Sequence, residues 1–102
     1  QYGIKIVQTA SGSQGIAAVG LSSDFEIDHM ELQNIGYTGM MIKSDPSSNC
    51  ANTAAVRPNF TMRNIHIHDN YVHDTGGEGI YLGVSFYNGT TMYCGSTQYN
   101  HE

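Results

Sequence analysis

Residues 64–83 read NIHIHDNYVHDTGGEGIYLG, and residues 24–43, DFEIDHMELQNIGYTGMMIK, align with them without a gap at an offset of 40. Few residues are identical, but apolar residues fall on apolar residues and glycines fall on glycines. The matched pairs are Phe25 with Ile65, Ile27 with Ile67, Leu32 with Val72, Gly36 with Gly76, Gly39 with Gly79, Met40 with Ile80 and Ile42 with Leu82. Self-similarity at a fixed period is the sequence signature of a repeat architecture.

Apolar and polar residues alternate within each copy of this repeat, as in Phe25-Glu26-Ile27. A period of two is that of a short strand with one buried face. Polar breaks such as Asp28-His29 and His68-Asp69 separate these strands, and no stretch keeps the apolar spacing of an amphipathic helix. The pattern predicts an all-β chain of short strands that turns at each break.

A partial third copy begins the chain, because Gly3-Ile4-Lys5-Ile6 matches Gly39-Met40-Met41-Ile42 at an offset of 36. Strands that recur every 36 to 40 residues are expected to wind into a parallel solenoid, in which each coil stacks on the previous one. We therefore predict about two and a half coils over residues 1–102. The recurring glycines are expected at sharp turns, where glycine adopts a positive φ without a Cβ clash.

Two other repeat or sheet architectures fit less well. An antiparallel hairpin protein favours Asn-Gly turns between paired strands, but the only Asn-Gly pair, Asn88-Gly89, lies outside the repeat. A leucine-rich repeat has a shorter period and an LxxLxL signature, which is absent here.

The run NIHIHDNYVHDTGGEGIYLG resembles the repeats of right-handed parallel β-helix proteins of the pectate-lyase-like superfamily, and is most similar to large secreted bacterial β-helix proteins of undefined function. The resemblance covers about residues 3–83. It implies a right-handed parallel β-helix (solenoid) in an extracellular or cell-surface protein. It implies no single activity, because the superfamily includes polysaccharide lyases, glycoside hydrolases, epimerases and adhesins.

Composition excludes several partners. Four Lys plus Arg residues against nine Asp plus Glu residues leave a net charge of −5, with no basic stripe for nucleic acid or an anionic membrane. No apolar run is long enough to span a bilayer. Two good coils are fewer than a solenoid needs to bury its apolar face, and no cap is evident. We expect an uncapped fragment of a longer solenoid, or a unit that stacks end to end with copies of itself.

Two polar loop insertions interrupt the repeat, at about residues 44–58 and 84–102. They follow the same point of successive coils and are therefore expected on the same side. Cys50 lies in the first loop and Cys94 in the second, so we predict a Cys50–Cys94 disulfide, formed in an oxidising compartment. Two free thiols are the alternative.

Asn59 and Asn88 begin N-x-Thr sequons, of which Asn88 is expected to be the more accessible.

The densest polar cluster of the chain is in its second full copy, where imidazoles and carboxylates alternate with apolar residues. Its members are His66, His68, Asp69, His73, Asp74 and Glu78. The strand breaks predict that the three histidines lie on separate faces and do not converge on one ion. Asp74 and Glu78 are within reach of one another in a turn, and with loop carbonyls they are a candidate Ca²⁺ site. No other cofactor is indicated.

Equivalent outward positions of stacked coils are expected to form columns, and an aromatic or acidic column on a flat sheet suits a sugar chain. The predicted columns are Lys5, Met41 and Tyr81; Glu26 and His66; and Glu31 and Tyr71. The candidate carbohydrate-binding residues are Tyr81, Tyr71, His66 and Glu26. Asn70 aligns with the inward Met30, so its amide is expected to bond backbone groups at a turn or a stacked neighbour.

Three functions follow from these observations. The leading hypothesis is an extracellular β-helix module that binds a polysaccharide or a surface as part of a longer protein. The alternatives are part of a polysaccharide lyase or glycoside hydrolase, and a structural solenoid of a fibre or adhesin stalk. No catalytic residue is assigned, because Lys5, Lys43, Arg57 and Arg63 form no recognisable arrangement and no motif supports Asp69 or Asp74. Whether the chain is an enzyme stays open.

Overall fold

The computed structural model describes residues 2–44, 54 and 59–83, and these residues form eight short strands and no helix. They therefore include no helix that could cross a membrane. The strands are β1 (Ile4–Ile6), β2 (Ile16–Ala18), β3 (Phe25–Asp28), β4 (Met30–Ile35), β5 (Met40–Lys43), β6 (Ile65–His68), β7 (Tyr71–Thr75) and β8 (Ile80–Gly83). The predicted loop insertions, Cys50, Cys94 and Asn88 fall outside the described residues, apart from Ser44 and Ala54 at the first insertion.

Three parallel sheets contain these strands, and each sheet takes every third strand along the chain. Sheet 1 has the order β1-β4-β7, sheet 2 the order β2-β5-β8, and sheet 3 pairs β3 with β6. The chain thus visits the three sheets in a fixed rotation. All-β structure with parallel sheets is confirmed, and the arrangement is compatible with a parallel β-helix.

The predicted register between the two full copies is confirmed. Phe25 pairs with Ile65, Leu32 with Val72, and the remaining apolar matches follow the same offset of 40 in all three sheets. The alternation of apolar and polar residues along each strand fixes this register. Because alternate residues of a strand face opposite sides, a slip of one residue would turn every apolar side chain to solvent.

The predicted register of the partial first copy is wrong. Ile4 pairs with Met30 at an offset of 26, and Ile16 pairs with Met40 at an offset of 24, so β1 lies beside β4 and not β5. The reason is the length of the connections: the segment between β2 and β3 is much shorter than the segment between β5 and β6. A three-residue apolar-polar-apolar match also cannot distinguish one strand of the rotation from another.

The predicted column of Lys5, Met41 and Tyr81 is consequently wrong. Lys5 lies beside Glu31, and Glu31 lies beside Tyr71. Met41 instead lies between Ala17 and Tyr81 in sheet 2. The columns of Glu26 with His66 and of Glu31 with Tyr71 are confirmed.

The core lies between the sheets and is densest around the central strands β4 and β5. Its fully buried apolar side chains are Leu32, Ile35, Met40, Ile42 and Met62. The edge strands cover theirs less well, since Ile4 is 62% exposed, Ile80 47% and Leu82 60%. Burial therefore depends on having a neighbouring strand on both sides.

The turns are made by polar residues rather than by the repeated glycines. Left-handed backbone occurs at Asp24, His29 and Asn34, and again forty residues later at Asn64, Asp69 and Asp74. Short polar side chains tolerate this conformation better than most residues. The predicted positive φ of the repeated glycines is wrong: Gly36, Gly39, Gly76 and Gly79 are not among the residues with positive φ.

Close approach of neighbouring backbone explains three of these glycines, and it is tightest at Gly36, where a Cβ would collide with the carbonyl oxygen of Ala10. A Cβ at Gly39 would collide with the carbonyl oxygen of Gly79, and a Cβ at Gly76 would lie 2.7 Å from the oxygen of Gly36. At these positions the recurrence of glycine thus reflects contact between the backbones of neighbouring copies of the repeat.

Asn70 links two sets of strands as predicted. Its Oδ1 accepts a hydrogen bond from the backbone amide of Met30 at 2.9 Å, and its Nδ2 donates to the carbonyl of Ile27 at 2.8 Å. The side chain therefore replaces backbone partners at the corner between sheets 3 and 1.

Candidate functional site on the outer face of sheet 3

The outer face of sheet 3 sets a row of carboxylates beside a row of imidazoles. Phe25 and Ile27 of β3 are partly buried, whereas Glu26 and Asp28 between and after them are exposed. The same alternation in β6 exposes His66 and His68. The parallel register places Glu26 beside His66 and Asp28 beside His68.

A shallow groove of about 300 Å³ opens on this face. Its lining residues are Asp24, Phe25, Glu26, Asn64 and His66. Two of them, Glu26 and His66, are predicted carbohydrate-binding residues. The groove therefore combines carboxylate acceptors, an amide and an imidazole within one small surface.

Asp24 is held as a carboxylate at the start of this groove. Asn64 Nδ2 donates a hydrogen bond of 2.7 Å to Asp24 Oδ1. That bond is the largest cause of a lowered pKa at Asp24, followed by the hydroxyl of Ser23. Asp24 is thus a hydrogen-bond acceptor over the whole neutral pH range.

His68 lies between two carboxylates at the other end of the face. Its Nε2 is 2.5 Å from Glu26 Oε1, and its Nδ1 is 2.7 Å from Asp69 Oδ2. The contact with Glu26, and then that with Asp69, raises the pKa of His68 to about 9. The contact between His68 and Asp69 also lowers the pKa of Asp69.

Asp28 completes this end of the face. Its Oδ1 is 2.5 Å from Nδ1 of His29, the residue that turns the chain into β4. One ligand atom each from Glu26, Asp28 and His68 lies within 4.8 Å of the other two. The face therefore ends in a convergent group of one imidazole and two carboxylates.

Sequence reasoning missed this convergence because it assigned His68 to a turn. His68 is the last residue of β6 and shares the exposed side of the strand with His66, while His73 lies in sheet 1. The expected separation of all three histidines is therefore wrong for His66 and His68. The sequence signal that could have found this convergence is the alternation Ile65-His66-Ile67-His68, which extends the strand by one residue, to His68.

Tyr71 lies on the outer face of sheet 1 and already contacts other rings. Its ring centroid is 4.1 Å from that of His73 and 6.1 Å from that of Tyr2. Beside it, Glu31 contacts Lys5 Nζ and His73 Nε2, each at 3.1 Å. These contacts, with His73 first, lower the pKa of Glu31.

Tyr81 lies in sheet 2, where Lys43 Nζ is 5.1 Å from the centroid of its ring. The four predicted carbohydrate-binding residues thus fall on three different sheets. The structure brings together only Glu26 and His66.

Asp74 and Glu78, the predicted Ca²⁺ ligands, have separate partners. Asp74 Oδ2 is 2.8 Å from His73 Nδ1, and Glu78 Oε2 accepts a hydrogen bond of 2.9 Å from Thr38 Oγ1. A hydrogen bond with its own backbone, and then the hydrogen bond from the Thr38 hydroxyl, lower the pKa of Glu78. The Ca²⁺ site stays a prediction. Asn59 is exposed in a turn, and use of its sequon likewise stays a prediction.

No protein-family model matches the chain, and neither a curated protein nor a solved structure matches it significantly.

Proposed function

We propose that this chain is part of a right-handed parallel β-helix of the pectate-lyase-like type. The support is the rotation of eight strands through three parallel sheets, with a constant offset of 40 between the last two sets. Connections between parallel strands of one sheet are right-handed in about 98% of cases, which supports the hand. The repeat resemblance supports the superfamily.

The function we propose is binding of a polysaccharide on the outer face of sheet 3, in an extracellular module of a longer protein. The observation that carries this proposal is the groove lined by Asp24, Glu26, Asn64 and His66. Sugar hydroxyls both donate and accept hydrogen bonds, so they match a surface of carboxylates, amide and imidazole. An extended chain also fits a flat sheet better than a closed pocket.

Electrostatics favours a neutral polysaccharide over a uronate polymer. The net charge of the chain is −5, and three acids, Asp24, Glu26 and Asp28, line the β3 side of the face. Like charges brought together on binding would repel, so a polymer without carboxylates is the better partner.

The test is a binding survey of the 102-residue chain against soluble neutral and acidic polysaccharides, by affinity electrophoresis and titration calorimetry. Hydrogen bonds to charged groups are worth about 1.5–3 kcal/mol, so Glu26→Ala should weaken binding by roughly tenfold or more. Loss of the imidazole in His66→Ala removes an ordinary hydrogen bond, worth about 0.5–1.5 kcal/mol, and should weaken binding by roughly two- to tenfold. Gln33→Ala, on the outer face of sheet 1, is the matched control and should bind as the unaltered chain does.

The proposal is wrong if no neutral polysaccharide binds, or if Glu26→Ala and His66→Ala bind as well as the unaltered chain. Loss on Tyr71→Ala or Tyr81→Ala alone would move the binding surface to sheet 1 or sheet 2 and would contradict the assignment to sheet 3.

A further inference from the structure

Two histidines five positions apart, on neighbouring sheets, have the same pattern of carboxylate contacts. His68 contacts Glu26 through Nε2 and Asp69 through Nδ1. His73 contacts Glu31 through Nε2 and Asp74 through Nδ1, at 3.1 and 2.8 Å. In both cases the glutamate belongs to the adjacent strand and the aspartate follows the histidine.

The residue directly opposite each histidine is different. The register places Asp28 opposite His68 in sheet 3, but Gln33 opposite His73 in sheet 1. A neutral amide therefore replaces a carboxylate at the equivalent position. Among the described residues, the metal-suitable group of three forms around His68, with Glu26 and Asp28, and not around His73.

The spacing within this group fits one ion. Zinc-bound nitrogen and oxygen atoms lie about 2.0–2.2 Å from the metal, which keeps ligand atoms within roughly 4 Å of one another. The three ligand atoms lie within 4.8 Å of one another before any ion draws them in. All three side chains are exposed, so small rotations can close this difference.

We propose that Glu26, Asp28 and His68 bind one divalent transition-metal ion of the zinc class. One imidazole nitrogen and two carboxylate oxygens suit Zn²⁺, Co²⁺ or Ni²⁺, whereas Ca²⁺ takes six to eight oxygen ligands. Asp69 holds Nδ1 of His68 and so directs Nε2 toward the ion, the role that carboxylates commonly have behind metal-bound histidines. Binding replaces the proton that Nε2 shares with Glu26, and this proton is released to solvent. Three protein ligands leave a fourth position for water.

The test is a titration of the 102-residue chain with Co²⁺ alone, followed by its visible absorption. Cys50 and Cys94 are reduced and alkylated first, so that thiolates do not compete, and no saccharide is present. We expect one equivalent of Co²⁺, displaced by Zn²⁺ and not by equimolar Ca²⁺. Glu26→Gln, Asp28→Asn and His68→Gln should each weaken binding by at least tenfold.

His73→Gln is the matched control and should leave Co²⁺ binding unchanged, because that histidine lacks an opposed carboxylate. Circular dichroism should show the same fold for all four variants, since each replacement is nearly isosteric and the triad side chains are exposed. Unchanged binding in the three triad variants, or no binding by the unaltered chain, would overturn the proposal.

A gain of binding provides a second test. Gln33→Asp supplies the missing carboxylate opposite His73, and Lys5→Gln in the same chain removes the ammonium group that contacts Glu31. The doubly altered chain should bind a second equivalent of Co²⁺. Adding His73→Gln should remove that second equivalent and leave the first. If the doubly altered chain still binds a single equivalent, the role assigned to Asp28 as the deciding ligand is overturned.

Discussion

At the scale of single residues, glycine and aspartate or asparagine have separate tasks in the repeat. Six left-handed positions, at breaks between strands, are occupied by Asp, Asn and His, and some of these side chains also bond to the neighbouring copy, as Asn64 does to Asp24. Gly36, Gly39 and Gly76 instead lie where the backbones of neighbouring copies come close together. The two residue classes are therefore not interchangeable, although both occur at breaks between strands.

Gly39 and Gly79 occupy equivalent positions but differ in surroundings, which makes them a matched pair. A Cβ at Gly39 would meet the carbonyl oxygen of Gly79 and the Val72 side chain, whereas a Cβ at Gly79 would meet its nearest atom at 4.0 Å. Gly39→Ala should lower the free energy of unfolding by roughly 3 kcal/mol. Gly79→Ala should change it by less than about 1 kcal/mol, and raise it if anything.

Urea unfolding of both variants measures the difference. Equal effects of the two substitutions would show that contact between neighbouring backbones is not what selects glycine at this point of the repeat.

At the scale of strands, side chains 40 to 42 residues apart join one strand set to the next. The Ser23 hydroxyl donates a hydrogen bond to the carbonyl of Arg63 and accepts one from its backbone amide, just before β3 and β6 begin. In sheet 1, His73 of β7 reaches Glu31 of β4, and Glu31 also contacts Lys5 of β1. One ionic network therefore spans all three strands of sheet 1.

This network predicts a pH dependence of stability. Glu31 first, and then Asp74, raises the pKa of His73 above its ordinary 6.5. Because the folded pKa exceeds the unfolded one, the stabilisation is complete below about pH 6.5 and is lost as pH rises through the folded pKa. The lowered pKa of Glu31 acts on the acid side: its stabilisation is present above pH 4.5 and is lost as pH falls through the folded pKa.

Comparison with His73→Gln isolates the effect of His73 on stability, because His68 titrates in both proteins and its contribution cancels in the difference. The free energy of unfolding of the unaltered chain should exceed that of His73→Gln most at about pH 5–6, and the excess should shrink toward alkaline pH. Urea unfolding across this range is the measurement. An excess that is constant, or that grows with pH, would contradict the ionic role of His73.

At the scale of the whole molecule, the fully buried apolar residues of the strands lie in β4 and β5, which have a neighbouring strand on both sides. Ile42 of β5 is fully buried, while Leu82, its partner in the edge strand β8, is 60% exposed. The two residues are both aliphatic and lie in the same column. Their difference is therefore one of position in the sheet, not of side-chain type.

This position effect predicts unequal costs of truncation. Ile42→Ala should lower the free energy of unfolding by about 2–5 kcal/mol, as large-to-small substitutions in a packed core do. Leu82→Ala should cost less than about 1 kcal/mol, because most of its surface is already in solvent. Thermal and urea unfolding of both variants provide the comparison. Similar losses at the two positions would mean that β8 is buried as deeply as β5.

Much of the fold was predictable because its signals are local. Alternation separates Glu26 and His66 from Phe25 and Ile65, and the offset of 40 aligns β3 with β6. The partner of β1 was not predictable, because Ile4-Lys5-Ile6 suits any strand of the rotation. Half of the candidate site was predictable for the same reason: Glu26 and His66 follow from alternation, but the convergence of Asp28 and His68 does not.

The sequence by itself determined which residues form strands, which side of each strand is apolar, and how the two full copies align. These properties follow from the period of two and from the unbroken match over twenty residues. Tertiary structure alone decided which sheet receives β1, why glycine recurs, and where imidazole and carboxylates meet. Those outcomes depend on the length of connections and on backbone approach across strands, which are distances in space that no local pattern records.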